Sequence, residues 1–210
     1  MIISLPRFYP ILDAGCFATS EALLRAAEQM VAAGARILQY RNKSGDAARM
    51  LIDARELRQR VLYSESGDSV TLIMNDRADL CLAADFEGLH VGQDDLSPAS
   101  ARKIVGPNRW LGVSTHNNAQ VIEADETSAD YIAIGPVFGT ASKVNPDPVV
   151  GLEGVREARE LTSKPLVAIG GIARTNCAEV IEAGADSVAV ISDLTLDPRK
   201  SAEEFLRILG

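Results

Sequence analysis

The sequence predicts an α/β protein with a single (β/α)8 barrel, the TIM-barrel architecture, over residues 1–210. Short apolar runs alternate with segments of helical periodicity along the whole chain. The runs lack strict apolar–polar alternation, as expected for parallel strands covered on both faces. Because strand and helix candidates form eight successive pairs, closure into a barrel is favoured over the competing open, doubly wound sheet.

The individual elements follow from these two textures. The predicted strands are residues 8–14, 36–40, 71–75, 88–91, 110–114, 131–137, 165–170 and 187–192. Apolar residues three or four apart predict helices around 23–31 and 51–61, and further helices at 78–84, 98–105, 118–126, 152–162, 175–183 and 200–209. Gly34 and Gly184 follow two of these helices, where a left-handed residue commonly ends the helix.

Composition and charge restrict the partners of the protein. Apolar residues make up 47% and charged residues 24% of the chain, as in ordinary globular proteins with a sizeable core. The formal charge of -8 argues against nucleic acid and anionic membranes, because both require an extended basic surface. We therefore expect small-molecule partners, and the sequence leaves a homo-oligomer open.

Cysteine usage and the short apolar runs predict a soluble, cytoplasmic protein. Cys16, Cys81 and Cys177 are far apart and lack CxxC spacing, which is typical of reduced thiols rather than disulfides or a zinc site. Pro6 and Arg7 interrupt the first apolar run before it reaches the length of a signal peptide. No apolar run approaches the roughly 20 residues that span a bilayer.

The carboxyl ends of the strands of such a barrel converge on one mouth, where enzymes of this fold have their active sites. The second strand ends in QYRNK, in which Gln39, Arg41 and Lys43 alternate and so point to the same side. Two cations and an amide suit a diphosphate or another polyanion. The alternative is a solvated strand end with surface charges.

Acidic residues follow the third and fourth strands, in the segments MNDR and HVGQDD. Since neighbouring strands are about 4.8 Å apart, we expect Asp76 and Asp95 to face a common point, with Asn75 and Gln93 nearby. Oxygen-rich sites of this kind hold Mg2+ together with substrate phosphates. The alternative is helix capping, by Asp76 for one helix and by Asp95 or Ser97 for the next.

The fifth strand and the long loop after the sixth add polar groups. The segment GVSTHN offers Ser114, Thr115 and His116 for hydrogen bonding, whereas His90 lies in mid-strand and is predicted to be a hydrogen-bonded core residue. Long loops between barrel elements are commonly lids or binding loops. Lys143, in the loop 138–150, is therefore a candidate to close over an anion and exclude water. The alternative is an exposed surface lysine.

The seventh and eighth strands end in AIGGI and VAVIS. Gly170 and Gly171 leave backbone N–H groups uncovered, and Ser192 begins a turn into a helix. The loops after these strands are the usual phosphate-binding place in this fold. Together with the charged strand ends, they predict two anion sites across one mouth. Such a mouth suits an enzyme that joins two phosphorylated molecules or moves a group between them.

Seven successive segments match the motifs of one enzyme family: QYRNK, NDRADL, GLHVGQDDL, GVSTHN, YIAIGPVFGTASK, VAIGGI and AGADSVAVIS. Through them, over about residues 8–195, the chain resembles the thiamine phosphate synthases. The resemblance implies a barrel that couples 4-amino-5-hydroxymethyl-2-methylpyrimidine diphosphate to 4-methyl-5-(2-phosphooxyethyl)thiazole, or its carboxylated form, and releases pyrophosphate. It also implies a Mg2+ ion held by Asp76 and Asp95, and departure of the diphosphate before the thiazole nitrogen attacks.

The resemblance also assigns roles to residues of the matching motifs. It implies that Arg41, Lys43 and Lys143 stabilise the departing diphosphate and that Ser114 contacts the pyrimidine, so these four are the expected catalytic residues. Residues 140–142 match the loop that binds the thiazole phosphate, and Gly171, Ile191 and Ser192 match the site for its phosphate group. The implied substrate-binding residues are Gln39, Tyr40, Arg41, Asn42, Lys43, Asn75, Ser114, Thr140, Ala141, Ser142, Lys143, Gly171, Ile191 and Ser192.

Two positions depart from the family pattern. The loop reads TASK where the family usually has a second threonine before the lysine, and Ser142 retains the hydroxyl group. Asp193 follows Ser192, where an acid beside a bound phosphate is unfavourable. An alternative role for Asp193 is to cap the last helix.

Other functions can be weighed on the same residues. A thiazole tautomerase would use His116 as its acid–base group and would not need the metal and diphosphate residues. A non-catalytic barrel that senses a thiamine precursor would keep AIGGI and VIS without needing Asp76, Asp95 or Lys143. A dehydrogenase is disfavoured because no GxGxxG follows the first strand.

Overall fold

The eight predicted strands close into a barrel in which each strand pairs in parallel with its neighbours in sequence. The computed structural model describes residues 3–64, 69–140 and 147–210. The first strand pairs with the second and also with the eighth, which closes the sheet. The predicted (β/α)8 barrel is confirmed, and the open doubly wound sheet is ruled out.

Strands and helices alternate through the described residues. The strands are β1 (Phe8–Asp13), β2 (Ile37–Arg41), β3 (Thr71–Asn75), β4 (Gly88–Val91), β5 (Trp110–Thr115), β6 (Tyr131–Ile134), β7 (Leu166–Ile169) and β8 (Ser187–Val190). The helices are α1 (Ser20–Ala33), α2 (Ala47–Leu62), α3 (Ala78–Ala83), α4 (Pro98–Val105), α5 (Asn118–Asp125), α6 (Gly151–Leu161), α7 (Cys177–Glu182) and α8 (Pro198–Leu209).

Two of the element boundaries that differ from the sequence prediction have a local cause. The strand β6 ends at Ile134 rather than at residue 137, because Pro136 has no N–H group with which to continue the ladder. The helix α2 begins at Ala47 rather than near residue 51, because the Asp46 carboxylate accepts a hydrogen bond from the Arg49 N–H at 3.0 Å and caps the helix. Local hydrogen bonding sets the end of β6 and the start of α2, and the spacing of apolar residues gives no information about such bonds.

Two helices end at the glycines that the sequence analysis identified. Gly34 (φ +113°) and Gly184 (φ +114°) both adopt the left-handed conformation that was predicted for them. Their N–H groups bond the carbonyls of Val31 and Ile181 at 2.9 Å, which completes the last turns of α1 and α7. Among the described residues, no helix combines the length and the apolar composition that a membrane span requires.

The barrel divides the apolar core into two parts. The outer part lies between the strands and the helices and includes Leu24 and Phe205, both buried. The inner part fills the barrel below the mouth. Its strand side chains are Tyr9, Ile11, Ile37, Ile73, Tyr131, Ala133, Val167 and Ala189.

A glycine in β5 makes room for the largest of these inner side chains. Gly112 lies in register between His90 of β4 and Tyr131 of β6. A Cβ atom at position 112 would lie 2.0 Å from Cζ of Tyr131 and 2.4 Å from its hydroxyl oxygen. The absence of a side chain at Gly112 therefore allows the Tyr131 phenol to extend across β5 toward His90.

Three carboxylates form the same contact at the amino ends of the strands. Each carboxylate directly precedes β4, β6 or β8 and accepts a hydrogen bond from a backbone N–H of the preceding strand, β3, β5 or β7. Each also pairs with an arginine of α2, α4 or α6, the helix that leads into that preceding strand. These contacts join β3 to β4, β5 to β6 and β7 to β8 at the face opposite the mouth. The three sets are Arg58–Glu87–Leu72, Arg102–Asp130–Leu111 and Arg159–Asp186–Leu166.

The close approach at Gly112 predicts a stability effect. Gly112→Ala should lower the free energy of unfolding by about 1–3 kcal/mol, because the new methyl group overpacks the barrel against Tyr131. Urea denaturation measures it. Gly139→Ala is the matched control, since no heavy atom lies within 4 Å of a Cβ built there, and it should change the stability by less than about 0.5 kcal/mol. Equal stabilities of the two variants would contradict the packing argument.

Candidate active site

A cavity of about 480 Å³ opens at the carboxyl ends of the strands. Its lining draws on strand ends and loops around the barrel, so the mouth predicted from the sequence exists. The sequence-predicted residues that line it are Gln39, Arg41, Lys43, Asn75, Asp76, Asp95, Ser114, Thr140, Gly171, Ile191 and Ser192.

The end of β2 separates its side chains by strand alternation. Gln39, Arg41 and Lys43 line the cavity, as the alternation predicts. The side chains of Tyr40 and Asn42 do not. Tyr40 is buried, and its hydroxyl accepts a hydrogen bond from Asn42 Nδ2 at 3.0 Å. Successive residues of a strand face opposite sides, which explains this difference. The substrate-binding role that the motif implies for Tyr40 and Asn42 stays a prediction.

Asp13 holds Arg41 in place, a role that the sequence analysis missed. Asp13 ends β1 and is 6% exposed. Its Oδ2 accepts a hydrogen bond from Arg41 Nη1, and its Oδ1 accepts one from the Gly15 N–H at 3.0 Å. The sequence did contain one indication of this ion pair, because an acid ends the strand that neighbours β2, where Arg41 lies. The ion pair restrains the guanidinium at the cavity wall.

Neither Asp76 nor Asp95 caps a helix. Asp76 adopts a positive φ of 60°, and its N–H donates to the His90 carbonyl at 2.7 Å. The N-cap position of α3 is Arg77, which makes no side-chain capping bond. Ser97, not Asp95, caps α4. The capping alternative is thus excluded for both aspartates.

The two carboxylates instead meet at the cavity. Burial raises the pKa of Asp76, and the adjacent Asp95 carboxyl group raises it further, while Lys43 opposes the shift. Lys43 Nζ donates a hydrogen bond to Asp76 Oδ2. Asp95 Oδ2 accepts one from the Gly92 N–H at 2.9 Å. The arrangement holds two negative groups together with one cation beside them.

The donor set fits a hard divalent cation. The described residues contain no group of three or more His, Cys, Asp or Glu side chains arranged to hold a metal ion. Mg2+ commonly binds one or two carboxylates and takes its other ligands from water and phosphates. Two adjacent carboxylates at an open mouth match that requirement and do not match a zinc site, which needs at least three protein ligands.

A chain of hydrogen bonds lies beneath the cavity, and we call its five residues the interior chain. Gln39 Nε2 donates to the Tyr9 hydroxyl at 2.9 Å, and the hydroxyls of Tyr9 and Tyr131 are 3.0 Å apart. His90 bonds the Tyr131 hydroxyl through Nδ1 at 3.1 Å and Ser114 Oγ through Nε2 at 2.9 Å. His90 is thus the hydrogen-bonded core residue that was predicted, whereas the tyrosines were not recognised.

A buried amide at the end of β3 has an unused donor. Asn75 is 8% exposed and lines the cavity. Its Nδ2 atom is fully buried and has no hydrogen-bond partner. Because an unsatisfied buried donor costs free energy, this amide is suited to bind an acceptor in the cavity.

The opposite wall is built by the ends of β6, β7 and β8. Gly171 has φ +64°, and a Cβ atom there would lie 2.5 Å from the Gly139 carbonyl oxygen, so the backbones of two loops approach closely. The N–H of Phe138 donates to the Gly170 carbonyl at 2.9 Å. Thr140 lines the cavity. The predicted residues Ala141, Ser142 and Lys143 lie outside the described residues.

Asp193 does not cap the last helix, so that alternative is excluded. Asp197 caps α8, accepting a hydrogen bond from the Lys200 N–H at 3.2 Å. Asp193 accepts two hydrogen bonds from the Arg174 guanidinium, both at 2.9 Å, and one from the Arg174 N–H at 3.0 Å. The arginine offsets the charge of Asp193 next to Ser192.

His116 also lines the cavity. Its Nδ1 donates to the Gly135 carbonyl at 2.6 Å, which orients the ring. Its Nε2 lies 3.5 Å from Oδ2 of Asp147, which also lines the cavity. The structure thus places this histidine at the mouth, as an acid–base role would require.

Known sequences resemble this chain over nearly its whole length. A sequence model described as Thiamine monophosphate synthase matches residues 8–194. The thiamine-phosphate synthase of Koribacter versatilis (strain Ellin345) is 58% identical over 210 residues, which cover 99% of this chain and 97% of the relative. That of Methanosarcina mazei is 38% identical over 204 residues, which cover 96% of this chain and 82% of the relative.

Solved structures agree with these sequences. Thiamine phosphate pyrophosphorylase from Pyrococcus furiosus superposes with a TM-score of 0.84 at 32% identity, covering 97% of this chain and 95% of that one. A 3-hexulose-6-phosphate synthase superposes with a TM-score of 0.72 at 15% identity, covering 98% and 100%. At that lower identity the likeness concerns the fold alone.

The burial of His90 predicts a pH-dependent stability. Burial lowers the pKa of His90 from 6.5 to about 4, so between these pH values the unfolded chain binds a proton that the folded protein does not. The contribution of His90 to the free energy of unfolding should therefore fall by about 1.4 kcal/mol per pH unit as the pH drops through this window. Urea denaturation at several pH values measures the slope.

Variants of the two histidines separate this contribution from that of the carboxylates. His90→Gln should remove this part of the slope, whereas His116→Gln, the matched control, should retain it. The same pH dependence in wild type and His90→Gln would contradict a neutral, buried His90.

Proposed function

The chain belongs to the thiamine monophosphate synthase family, and we propose that its mouth performs the synthase reaction by metal-assisted departure of diphosphate. The reaction joins 4-amino-5-hydroxymethyl-2-methylpyrimidine diphosphate to 4-methyl-5-(2-phosphooxyethyl)thiazole, or its carboxylated form, and gives thiamine phosphate and pyrophosphate. The chain is thus a transferase of thiamine biosynthesis that acts on small molecules. The adjacent carboxylates of Asp76 and Asp95 beside Lys43 carry the proposed mechanism.

The diphosphate is proposed to bind between the carboxylate pair and the cations of β2. Asp76 and Asp95 would hold Mg2+, which, when bound, neutralises charge that develops on the departing diphosphate. Arg41, restrained by Asp13, can donate two parallel hydrogen bonds to phosphate oxygens. Lys43 supplies a second positive charge on the same wall. All of these groups stabilise the leaving anion more than the intact substrate.

The pyrimidine is proposed to lie deeper, against polar side chains of β2, β3 and β5. Gln39 and Asn75 are nearly buried where they line the cavity, and Ser114 lies beside them in the lining. The partnerless Nδ2 of Asn75 supports this position, because a heteroaromatic acceptor would satisfy it. Side-chain amides and a hydroxyl select a ring by its pattern of donors and acceptors.

The thiazole phosphate is proposed to bind at the opposite wall. Gly171, Ile191 and Ser192 would hold its phosphate through backbone N–H groups and a hydroxyl, and Thr140 begins the loop that would cover it. Ala141 and Ser142 are assigned to this loop by motif, and Lys143 is assigned to the diphosphate. The pairing of Asp193 with Arg174 supports phosphate binding here, since the acid is already neutralised.

No general base is required for the chemistry. The bond between the pyrimidine methylene carbon and the diphosphate oxygen breaks, and its electron pair leaves with the oxygen. The thiazole nitrogen then donates its lone pair to that carbon and forms the new C–N bond. Water must be excluded because it would trap the intermediate cation. The loop 138–150 is proposed to exclude it, since this loop follows β6, whose carboxyl end lies at the mouth. The three unpaired cysteines support a reducing, cytoplasmic setting for the protein.

Purified protein mixed with both substrates, with and without Mg2+, tests the proposal. Thiamine phosphate and pyrophosphate should form only with the metal. Isomerised thiazole phosphate without condensation would instead indicate a tautomerase that uses His116. Binding of both substrates without any turnover would indicate a sensor, and either result would overturn the proposed function.

Removal of one carboxylate should weaken the metal site. Asp95→Asn should lower turnover by about 100-fold or more at a fixed Mg2+ concentration, because the metal supplies several kcal/mol of transition-state stabilisation. Steady-state kinetics at varied Mg2+ measure it. Asp79→Asn is the matched control, since Asp79 is exposed, pairs with Arg77 and does not line the cavity. Similar activities of the two variants would count against the metal assignment.

Lys143→Ala should separate turnover from thiazole binding. Loss of a cation that contacts the leaving diphosphate should lower kcat about 100-fold, whereas KM for the thiazole phosphate should change less than about threefold. Lys103→Ala, which removes an exposed lysine of α4, serves as the control. Normal turnover of Lys143→Ala would refute the assignment of this lysine to the diphosphate.

A further inference from the structure

The interior chain joins five strands at the floor of the cavity, and its members Gln39 and Ser114 also have proposed contacts to the pyrimidine. Gln39, Tyr9, Tyr131 and His90 are each at most 8% exposed, and only Ser114 at the end of the chain is more accessible. The side-chain hydrogen bonds that these residues make in the structure are to one another, although Tyr9, Gln39 and His90 also line the cavity.

The direction of the hydrogen bonds follows from the available protons. Gln39 Nε2 donates to the Tyr9 hydroxyl, so that hydroxyl must direct its own proton elsewhere. Its other contact is the Tyr131 hydroxyl, and when Tyr9 donates to Tyr131, the Tyr131 proton is left to face His90 Nδ1. His90 Nδ1 is then an acceptor. The neutral imidazole therefore carries its proton on Nε2 and donates it to Ser114 Oγ.

We propose that the interior chain fixes His90 as the Nε2–H tautomer and thereby makes Ser114 a hydrogen-bond donor to the ligand. Since Ser114 Oγ accepts the proton of His90, its own O–H proton is free to point into the cavity that it lines. Tyr9, Tyr131 and His90 are positioning residues that act through Ser114. The identity of the ligand rests on the proposed function. A ring nitrogen of the pyrimidine can only accept a hydrogen bond, so it is the atom that would accept the Ser114 proton.

Packing alone does not account for the two tyrosine hydroxyls. Phenylalanine would fill the same volume without bringing a polar group into the barrel, which costs free energy unless it is hydrogen-bonded. Gly112 has no side chain where any Cβ atom would collide with the Tyr131 phenol. The strand β5 thus leaves room for the Tyr131 ring, whose hydroxyl contacts the hydroxyl of Tyr9 and Nδ1 of His90.

The tautomer can be read directly by two-bond 1H–15N NMR of the wild-type protein at neutral pH without added substrate. The chain has two histidines, so a His116→Gln sample assigns the His90 signals. We expect His90 to carry its proton on Nε2 in essentially all molecules. A proton on Nδ1, or a mixture of the two forms in comparable amounts, would overturn the proposal without any substitution in the interior chain.

A double-mutant cycle tests whether Tyr131 acts through Ser114. Calorimetric titration with the pyrimidine diphosphate should show Kd raised about threefold to tenfold in both Tyr131→Phe and Ser114→Ala, as expected for one hydrogen bond. The double variant should bind no more than about twofold more weakly than Ser114→Ala alone, because the two residues share one contact. Multiplication of the two single effects would overturn the proposal, since a merely structural Tyr131 predicts that result.

Tyr40→Phe provides the matched control. It removes another buried tyrosine hydroxyl, one that bonds Asn42 on the outer side of β2. Its effect on Kd should multiply with that of Ser114→Ala, and the His90 spectrum should match wild type. If Tyr40→Phe shows the same loss of additivity as Tyr131→Phe, the proposal is overturned. A failure of the proposed function is distinguished by the absence of thiamine phosphate, whereas the tautomer is read without substrate.

Discussion

The site depends on two carboxylates, those of Asp76 and Asp95, that lie together at the mouth of the barrel although they repel each other. Asp76 and Asp95 belong to successive βα units, and burial and mutual repulsion both raise the pKa of Asp76. Positive charge beside such a pair stabilises its ionised form, and Lys43 supplies that charge in the structure. The same need makes the pair a receptor for a divalent cation that carries a diphosphate. The protein as a whole has a formal charge of -8, so the cations at the mouth act locally.

Barrel closure creates this constraint, and contacts far from the mouth maintain it. Parallel strands deliver all their carboxyl ends to one face, so Asp76 and Asp95 need only follow neighbouring strands to meet. At the opposite face, the arginine–carboxylate sets join neighbouring strands in pairs. The inner side chains fill the barrel between that face and the mouth. The interior chain then occupies the boundary between packed core and cavity, where polar groups are buried but still reach a ligand.

Most of the fold and much of the cavity lining could be predicted from the sequence. Apolar runs without alternation identified all eight strands, and strand alternation identified Gln39, Arg41 and Lys43 as residues of one wall. Contacts across the barrel could not be predicted, because a single sequence does not show which inward residues meet. Asp13 and the tyrosines were missed for this reason. The pairing of Asp193 with Arg174, which excludes the alternative of a helix cap, could not be predicted for the same reason.

The central claim is that the two carboxylates bind diphosphate only through a shared divalent ion. Calorimetric titration of inorganic pyrophosphate into the protein, with and without Mg2+, tests it most directly. The wild-type protein should bind pyrophosphate at least about tenfold more tightly with Mg2+, a difference of about 1.4 kcal/mol, and a variant carrying both Asp76→Asn and Asp95→Asn should show no effect of the metal. An equal Mg2+ effect in the two proteins would contradict the account.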